Sequence, residues 1–258
     1  MLLCLDIGNT NIEFGIFTDR KNDFDIIASF RFFTRINITD DEIGLFVMNY
    51  LNIENINPSK IDKMIYSSVV PPINDKIEKM FNKYFKGKMI EVNEKTKLGI
   101  VNKYKNPREV GSDRLVNATA VYHIYKKNAI IVDMGTATTI CAITEKGEYL
   151  GGTIFPGIQT ATNALREKAA RLPAINIQKR DRLLSDDTAS AIESGVFFSN
   201  LFALKGMMDL LAKEVNFNEY IKIGTGGYTS IFKDSGIFDI YDESLSLKGL
   251  KIISDLNN

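Results

Sequence analysis

Leu2-Leu3-Cys4-Leu5-Asp6-Ile7-Gly8-Asn9-Thr10-Asn11-Ile12-Glu13-Phe14-Gly15-Ile16-Phe17 is an apolar run that stops at an acid, turns through a glycine and small polar residues, and returns as a second β-rich stretch. The plan recurs at Ala129-Ile130-Ile131-Val132-Asp133-Met134-Gly135-Thr136-Ala137-Thr138-Thr139-Ile140-Cys141-Ala142-Ile143-Thr144. Short apolar runs bounded by turn residues read as strands, so each stretch is a strand, a tight turn and a strand coming back. Asp6 and Asp133 lie 127 residues apart in a chain of 258. A period near half the chain predicts duplication of a whole domain, because solenoid repeats are much shorter. The expected architecture is α/β, with two similar domains of mixed sheet flanked by helices, residues 1–115 and 116–258, facing each other across a cleft.

The pattern extends outward from both turns. Ile26 to Phe33 reads as a third strand. Thr39-Asp40-Asp41-Glu42 then has the form of a capping box, with Thr39 as N-cap and Glu42 three residues in. Ile43, Phe46, Val47 and Tyr50 share one face of the helix it starts. Lys63 to Val70 is another strand, halted by Pro71-Pro72 before an amphipathic helix over 73–85. In the second half, Thr139–Thr144 and Tyr149–Phe155 read as strands, followed by helices over 159–168 and 188–214. A strand over 220–223 runs into Gly224-Thr225-Gly226-Gly227, and a helix over 245–256 ends the sequence.

Lysine plus arginine balance aspartate plus glutamate at 32 each, which argues against a strongly basic nucleic-acid binder. Cys4 and Cys141, the two cysteines, sit in apolar runs and read as buried free thiols. The first residues reach Asp6 without a basic segment, unlike a signal peptide, and no uninterrupted apolar run has the length of a membrane span. A cytoplasmic protein with neither nucleic acid nor membrane as partner is expected. His123 reads as a structural helix residue. The apolar Phe197, Phe198, Phe202, Met207 and Met208 read as core or dimer surface.

A strand ending in Asp-x-Gly puts a carboxylate at the mouth of the turn, and the glycine lets a ligand approach the backbone. Asn9 and Thr10, and Thr136 to Thr139, add short polar groups beside backbone N–H groups of the kind that cradle phosphate oxygens. An acid beside phosphates implies an intervening cation, and Mg²⁺ binds through one or two carboxylates plus phosphates and water. A single Asp-x-Gly turn is ordinarily just a hairpin; two copies at half-chain spacing favour a nucleotide. Neither the P-loop nor the dinucleotide fingerprint occurs. Gly224 to Gly227 therefore reads as a nucleoside-facing loop.

The paired turns resemble those of the superfamily of acetate and sugar kinases, heat-shock chaperones and actin. More specifically, the chain resembles the type III pantothenate kinase family. The segments that carry the likeness are Asp6-Ile7-Gly8-Asn9-Thr10-Asn11, Tyr104 to Arg114 with its Asn106-Pro107-Arg108-Glu109-Val110-Gly111-Ser112-Asp113-Arg114 block, Asp133 to Thr139, Gly151 to Ile158, Arg171-Leu172-Pro173, and Thr225-Gly226-Gly227. The resemblance implies ribonuclease H-like domains of the actin-like ATPase type and ATP-dependent phosphorylation of pantothenate, the first step toward coenzyme A. It implies ATP contacts from Asp6, Ile7, Gly8, Asn9, Thr10, Asn11, Ile12, Glu13 and Thr136. Asp113 becomes the general base, with Tyr104, Gly111, Ser112, Arg114 and Thr188 around the substrate. Asp6 serves Mg²⁺ through phosphates or water, Asp133 a monovalent cation (K⁺ or NH₄⁺), and the protein is a homodimer.

Phosphoryl transfer is mostly positioning and charge stabilisation, and a carboxylate within reach of the attacking hydroxyl accepts its proton. An Asp-Arg pair at a helix start is usually a surface pair; the Asn106-Pro107 block just ahead of it favours the functional reading. The chain departs from the family at Glu13, where lysine or an apolar residue is common, and at Ser185 and Ser199, where glycine is usual. Those departures leave room for two other expectations: a kinase for another small hydroxyl acceptor, and a nucleotide-binding regulatory or accessory protein on the same fold.

Overall fold

The computed structural model describes residues 1–21, 23–168 and 175–258. Arg171-Leu172-Pro173 lies outside the described residues. In chain order the strands and α-helices are β1 (Leu2–Ile7), β2 (Asn11–Phe17), β3 (Ile26–Phe33), α1 (Asp40–Ile53), β4 (Lys63–Ser68), α2 (Pro71–Tyr84), β5 (Lys88–Glu91), β6 (Val101–Asn102), α3 (Ser112–Tyr125), β7 (Ala129–Met134), β8 (Ala137–Ile143), β9 (Glu148–Pro156), α4 (Ile158–Lys168), α5 (Thr188–Glu214), β10 (Ile221–Thr225), β11 (Ile240–Tyr241) and α6 (Leu245–Leu256).

One sheet has the order β3-β2-β1-β4-β5, the other β11-β10-β7-β8-β9-β6. In each, the strand that carries the Asp-x-Gly turn is antiparallel to its successor and parallel to the strand on its other side. The fold is therefore α/β with mixed sheets flanked by helices. Alternate residues of β1 serve different faces, as strand pleating requires. Leu3, Leu5 and Ile7 join Phe14, Ile43, Val47, Ile73 and Ile77 in one core, whereas Leu2 and Cys4 join Phe17, Ile65, Leu247, Leu250 and Ile253 in another. Thr39 caps α1 with the reciprocal Glu42 bond that its sequence predicts. Both cysteines are buried free thiols.

The compact units are not two contiguous halves. Residues 1–101, 105–124 and 245–258 form one unit, and residues 102–104 and 125–244 the other. The expected division at 115/116 would cut α3, which lies with the first unit up to Ile124. The physical reason is α6: Leu247, Leu250 and Ile253 lie beside Val116 of α3 in one buried cluster with β1, and Gly249 lets α6 approach the Val116 carbonyl, where a Cβ would stand 2.3 Å away. Lys251 of α6 is 1% exposed, and its Nζ donates to both carboxylate oxygens of Asp255 at 2.7 Å.

The second unit packs α5 on its core through Val196, Phe197, Leu204 and Met208, while Phe202 and Leu210 of the same helix stay exposed. Among the described residues α5 is the one helix long and apolar enough, by length and composition alone, to cross a membrane. The polar Ser194 and Asn200, buried within it, donate to backbone carbonyls.

Candidate active site

The first turn is a hairpin closed by the Gly8 amide donating to the Asn11 carbonyl at 3.0 Å. Thr34, just past β3, holds it from the side: its hydroxyl donates to the Gly8 carbonyl at 2.6 Å and its amide to the Thr10 carbonyl at 2.9 Å. Asn9 and Thr10 remain exposed at the tip, and Ile7 and Ile12 anchor it in the core. Asp6 stands opposite Glu13 across β1 and β2, beside Ser67 on β4, and Glu13 in turn faces Arg31 on β3. Cross-strand partners share a sheet face. Asp6, Glu13, Arg31 and Ser67 therefore form one row, on the side away from Phe14, whose ring packs with those of Phe30 and Phe32. The Glu13 carboxylate is thus on the same face as Asp6, with an arginine as its next neighbour.

Ser67 is fully buried and donates to the Ser112 hydroxyl at 2.8 Å. Ser112 opens α3, and its own hydroxyl reaches the Ser68 carbonyl at 3.3 Å. The next residue is Asp113, so the strand beside Asp6 carries the start of the helix that bears Asp113. The Arg114 amide donates to Asp113 Oδ1 at 2.8 Å. Gly111 leaves room for that carboxylate: a Cβ there would sit 2.5 Å from Asp113 Oδ1. Burial pushes the Asp113 carboxyl above the ordinary carboxylate range, and the Arg114 amide and guanidinium pull the other way without cancelling it. Arg114 itself is 7% exposed, so its charge acts from beneath the surface.

The second turn has the same parts with one residue fewer between strands. The Gly135 amide donates to the Ala137 carbonyl at 3.1 Å, and Asp133 faces Thr139 across β7 and β8. The counterpart of Glu13 is therefore Thr139. Asp133 is flanked on its other side by Thr225. Gly226, at φ +89°, comes so near that a Cβ would lie 2.6 Å from Asp133 Oδ1. The carbonyl of Thr136 accepts the Gly157 amide at 3.1 Å and the Thr160 hydroxyl at 2.6 Å.

The remaining residues singled out in the sequence fall in the second unit. Tyr104 lies against Gly151, whose φ of +105° and lack of a Cβ accommodate the ring. Thr188 is the exposed first residue of α5, and Asp187, one of the two acids ahead of it, caps that helix by accepting from the Ser190 amide at 2.9 Å. That bond holds the Asp187 carboxyl below its usual range. Sequence reasoning missed Ser67 and Arg31, which have no local signature, and although it singled out the Thr225–Gly227 loop, the place of Thr225 beside Asp133 becomes visible only through strand register.

The donor sets suit the groups the resemblance implies. Asp6 and Glu13 supply two carboxylates on one face, the kind of set through which Mg²⁺ is held together with phosphates. Asp133, with Thr139 and Thr225 as its cross-strand neighbours, offers oxygen-bearing side chains of the type a hard monovalent cation takes.

A crystal structure of a Campylobacter jejuni protein assigned to the Baf family of transcriptional activators is 24% identical, with TM-score 0.58 over 99% of this chain and 98% of that one. A Sinorhizobium meliloti protein assigned as a 2-dehydro-3-deoxygalactonokinase gives TM-score 0.54 at 9% identity, over 100% and 99%. A Listeria monocytogenes protein assigned as an N-acetylmannosamine kinase gives 0.53 at 11%, over the same shares. These likenesses establish the fold. The profile of type III pantothenate kinase matches residues 2–210. With both turns and the Gly111–Arg114 block inside that match, the chain belongs to the type III pantothenate kinase family.

Proposed function

We propose that this chain transfers the γ-phosphoryl group of ATP to the 4′-hydroxyl of pantothenate, giving 4′-phosphopantothenate and ADP in the first step of coenzyme A biosynthesis. The observation that carries the reading is Asp113: a carboxylate with a raised pKa, at a helix start tied through Ser112 and Ser67 to the strand beside Asp6. In the reaction the substrate hydroxyl oxygen bonds to the γ-phosphorus, the bond to the β-phosphate oxygen breaks, and Asp113 takes the hydroxyl proton. A buried carboxylate is a stronger base than an exposed one, which suits that step.

In this reading Asp6 to Glu13 and Thr136 bind ATP, and Asp6 contacts the Mg²⁺–phosphate unit. Tyr104, Gly111, Ser112, Arg114 and Thr188 line the substrate, and Asp133 holds K⁺ or NH₄⁺. Bound Mg²⁺ supplies charge neutralisation on the phosphates. The matching strand orders of the two sheets support duplicated ribonuclease H-like domains of the actin-like ATPase type. Phe202 and Leu210, exposed on a helix as apolar as α5, support a homodimer.

The test is ADP formation with and without pantothenate, in potassium and then in sodium, with Mg²⁺ present or chelated. Pantothenate-dependent turnover that needs Mg²⁺ and falls in sodium is expected. Turnover with another hydroxyl acceptor in its place would identify a different small-molecule kinase. Nucleotide binding without any response to pantothenate would favour a regulatory or accessory protein, the kind of assignment carried by the Campylobacter jejuni neighbour.

A further inference from the structure

Two separate elements brace the second turn. From one side comes the start of α4, where the Gly157 amide and the Thr160 hydroxyl both donate to the Thr136 carbonyl. From the other comes the loop after β10. There the Tyr228 amide donates to the Met134 carbonyl at 3.3 Å, and Gly226 approaches so closely that a Cβ would stand 2.6 Å from both Asp133 Oδ1 and the Met134 amide nitrogen. The Tyr228 hydroxyl donates to Gln159 Oε1 at 2.5 Å, joining the two braces to each other. The orientation of the Gln159 amide is set by its other end, since Nε2 donates to Asn163 Oδ1 at 2.9 Å one turn along α4.

We propose that Tyr228 and Gln159 are positioning residues, a latch that closes a ring around the Asp133–Thr136 turn and holds its backbone ready for the phosphates of ATP. The role rests on the kinase reading above. A turn made of Gly135 and the exposed Thr136 and Ala137 has little packing of its own. Backbone N–H groups serve an anion best when their direction is fixed before it arrives. Gln159 is exposed, so the latch bond adds little to global stability. Its effect is local, and the two are separable by experiment.

Tyr228→Phe and Gln159→Leu each remove the bond, whereas Gln159→Glu keeps an acceptor at the same place. The expected result for Phe and Leu is a KM for ATP raised by roughly three- to tenfold, the range of one hydrogen bond, with kcat and thermal midpoint close to wild type. Glu keeps the acceptor for Tyr228 but loses the Nε2 bond to Asn163 and adds a negative charge, so exchange of the turn amides, not the KM for ATP, should return toward wild type. Hydrogen exchange of the Gly135 to Ala137 amides in the protein without substrate should quicken by a similar factor in Tyr228→Phe. Unchanged exchange and unchanged KM overturn the latch, as does a loss of kcat that merely follows a lowered thermal midpoint. A wild-type chain that leaves pantothenate unphosphorylated defeats the kinase reading instead, and the exchange measurement still decides the latch.

Discussion

The hydroxyl of Ser67 donates to the hydroxyl of Ser112 at 2.8 Å, and Ser67 is the cross-strand neighbour of Asp6 while Ser112 precedes Asp113. That hydrogen bond ties β4, the strand beside the one bearing Asp6, to the helix bearing the proposed base.

Ser67→Ala removes that tie and leaves Ser112 its contact with the Ser68 carbonyl. The expected cost in stability is about 1 kcal/mol, the usual net worth of a hydrogen bond. Turnover should fall by roughly tenfold at saturating ATP, because misplacement of a reacting group acts on kcat. A kcat equal to wild type in a steady-state assay would show that Asp113 is positioned without Ser67.

Asp113→Asn separates chemistry from folding. Loss of the base should lower kcat by about 10²- to 10⁴-fold. Stability should go the other way. The folded carboxyl is pushed above its unfolded value, so ionisation is easier in the unfolded chain. The native state therefore carries a cost at neutral pH that disappears as pH falls below the unfolded pKa of about 4. Asparagine keeps the acceptor for the Arg114 amide and avoids the cost. Urea midpoints of the variant should match or exceed wild type at pH 7 and converge with it near pH 4; a large drop at pH 7 would contradict this assignment.

The same raised pKa predicts the acidic limb of the wild-type rate. With Asp113 as the proposed base, turnover needs its ionised form, so kcat should decline with falling pH at a point above the usual carboxylate range. A kcat profile flat down to pH 4 would remove Asp113 from the proton transfer.

Gly111→Ala places a Cβ 2.5 Å from Asp113 Oδ1, a contact the carboxylate relieves by rotating away. The fold should survive, since the obstruction is the end of a side chain. Turnover should fall by about tenfold or more, because misplacing a reacting group by an ångström is costly. Circular dichroism together with kcat checks both halves.

Gly157→Ala meets a harder obstacle: its Cβ would lie 2.2 Å from the Gly135 carbonyl oxygen and 2.7 Å from that of Thr136. Backbone gives way less readily, so a loss of roughly 1–3 kcal/mol is expected, as for overpacking elsewhere. Weakened ATP binding should accompany it. Calorimetry of unfolding and of nucleotide binding reads the two effects separately.

What the sequence disclosed follows from which forces are local. The Thr39–Glu42 capping box, the strand pair around Asp6 and the helix Leu245–Leu256 are written in neighbouring residues, and the structure has them. Lys88–Glu91, Val101–Asn102 and Ile240–Tyr241 are short strands at or near sheet edges; strands this short rest on pairing with distant residues and have no periodicity to read. The partner of Asp6 on each side, Glu13 and Ser67, depends on register. So does the single-residue difference between the two turns, which makes Thr139 the counterpart of Glu13 where aligning the segments from their aspartates would choose Ile140. The amphipathic face of α6 is legible, but its destination beside β1 is not.

That destination bears on how the chain is made. A ribosome delivers β1 first and α6 last of these elements, with the whole second unit threaded between them. The buried surface over Leu2 and Cys4 stays without its cover until synthesis has passed Ile253. The inserted unit can fold while its host waits. Closure of the host then joins residues as far apart in sequence as Leu2 and Ile253, a high-contact-order step that should be the slow phase of refolding.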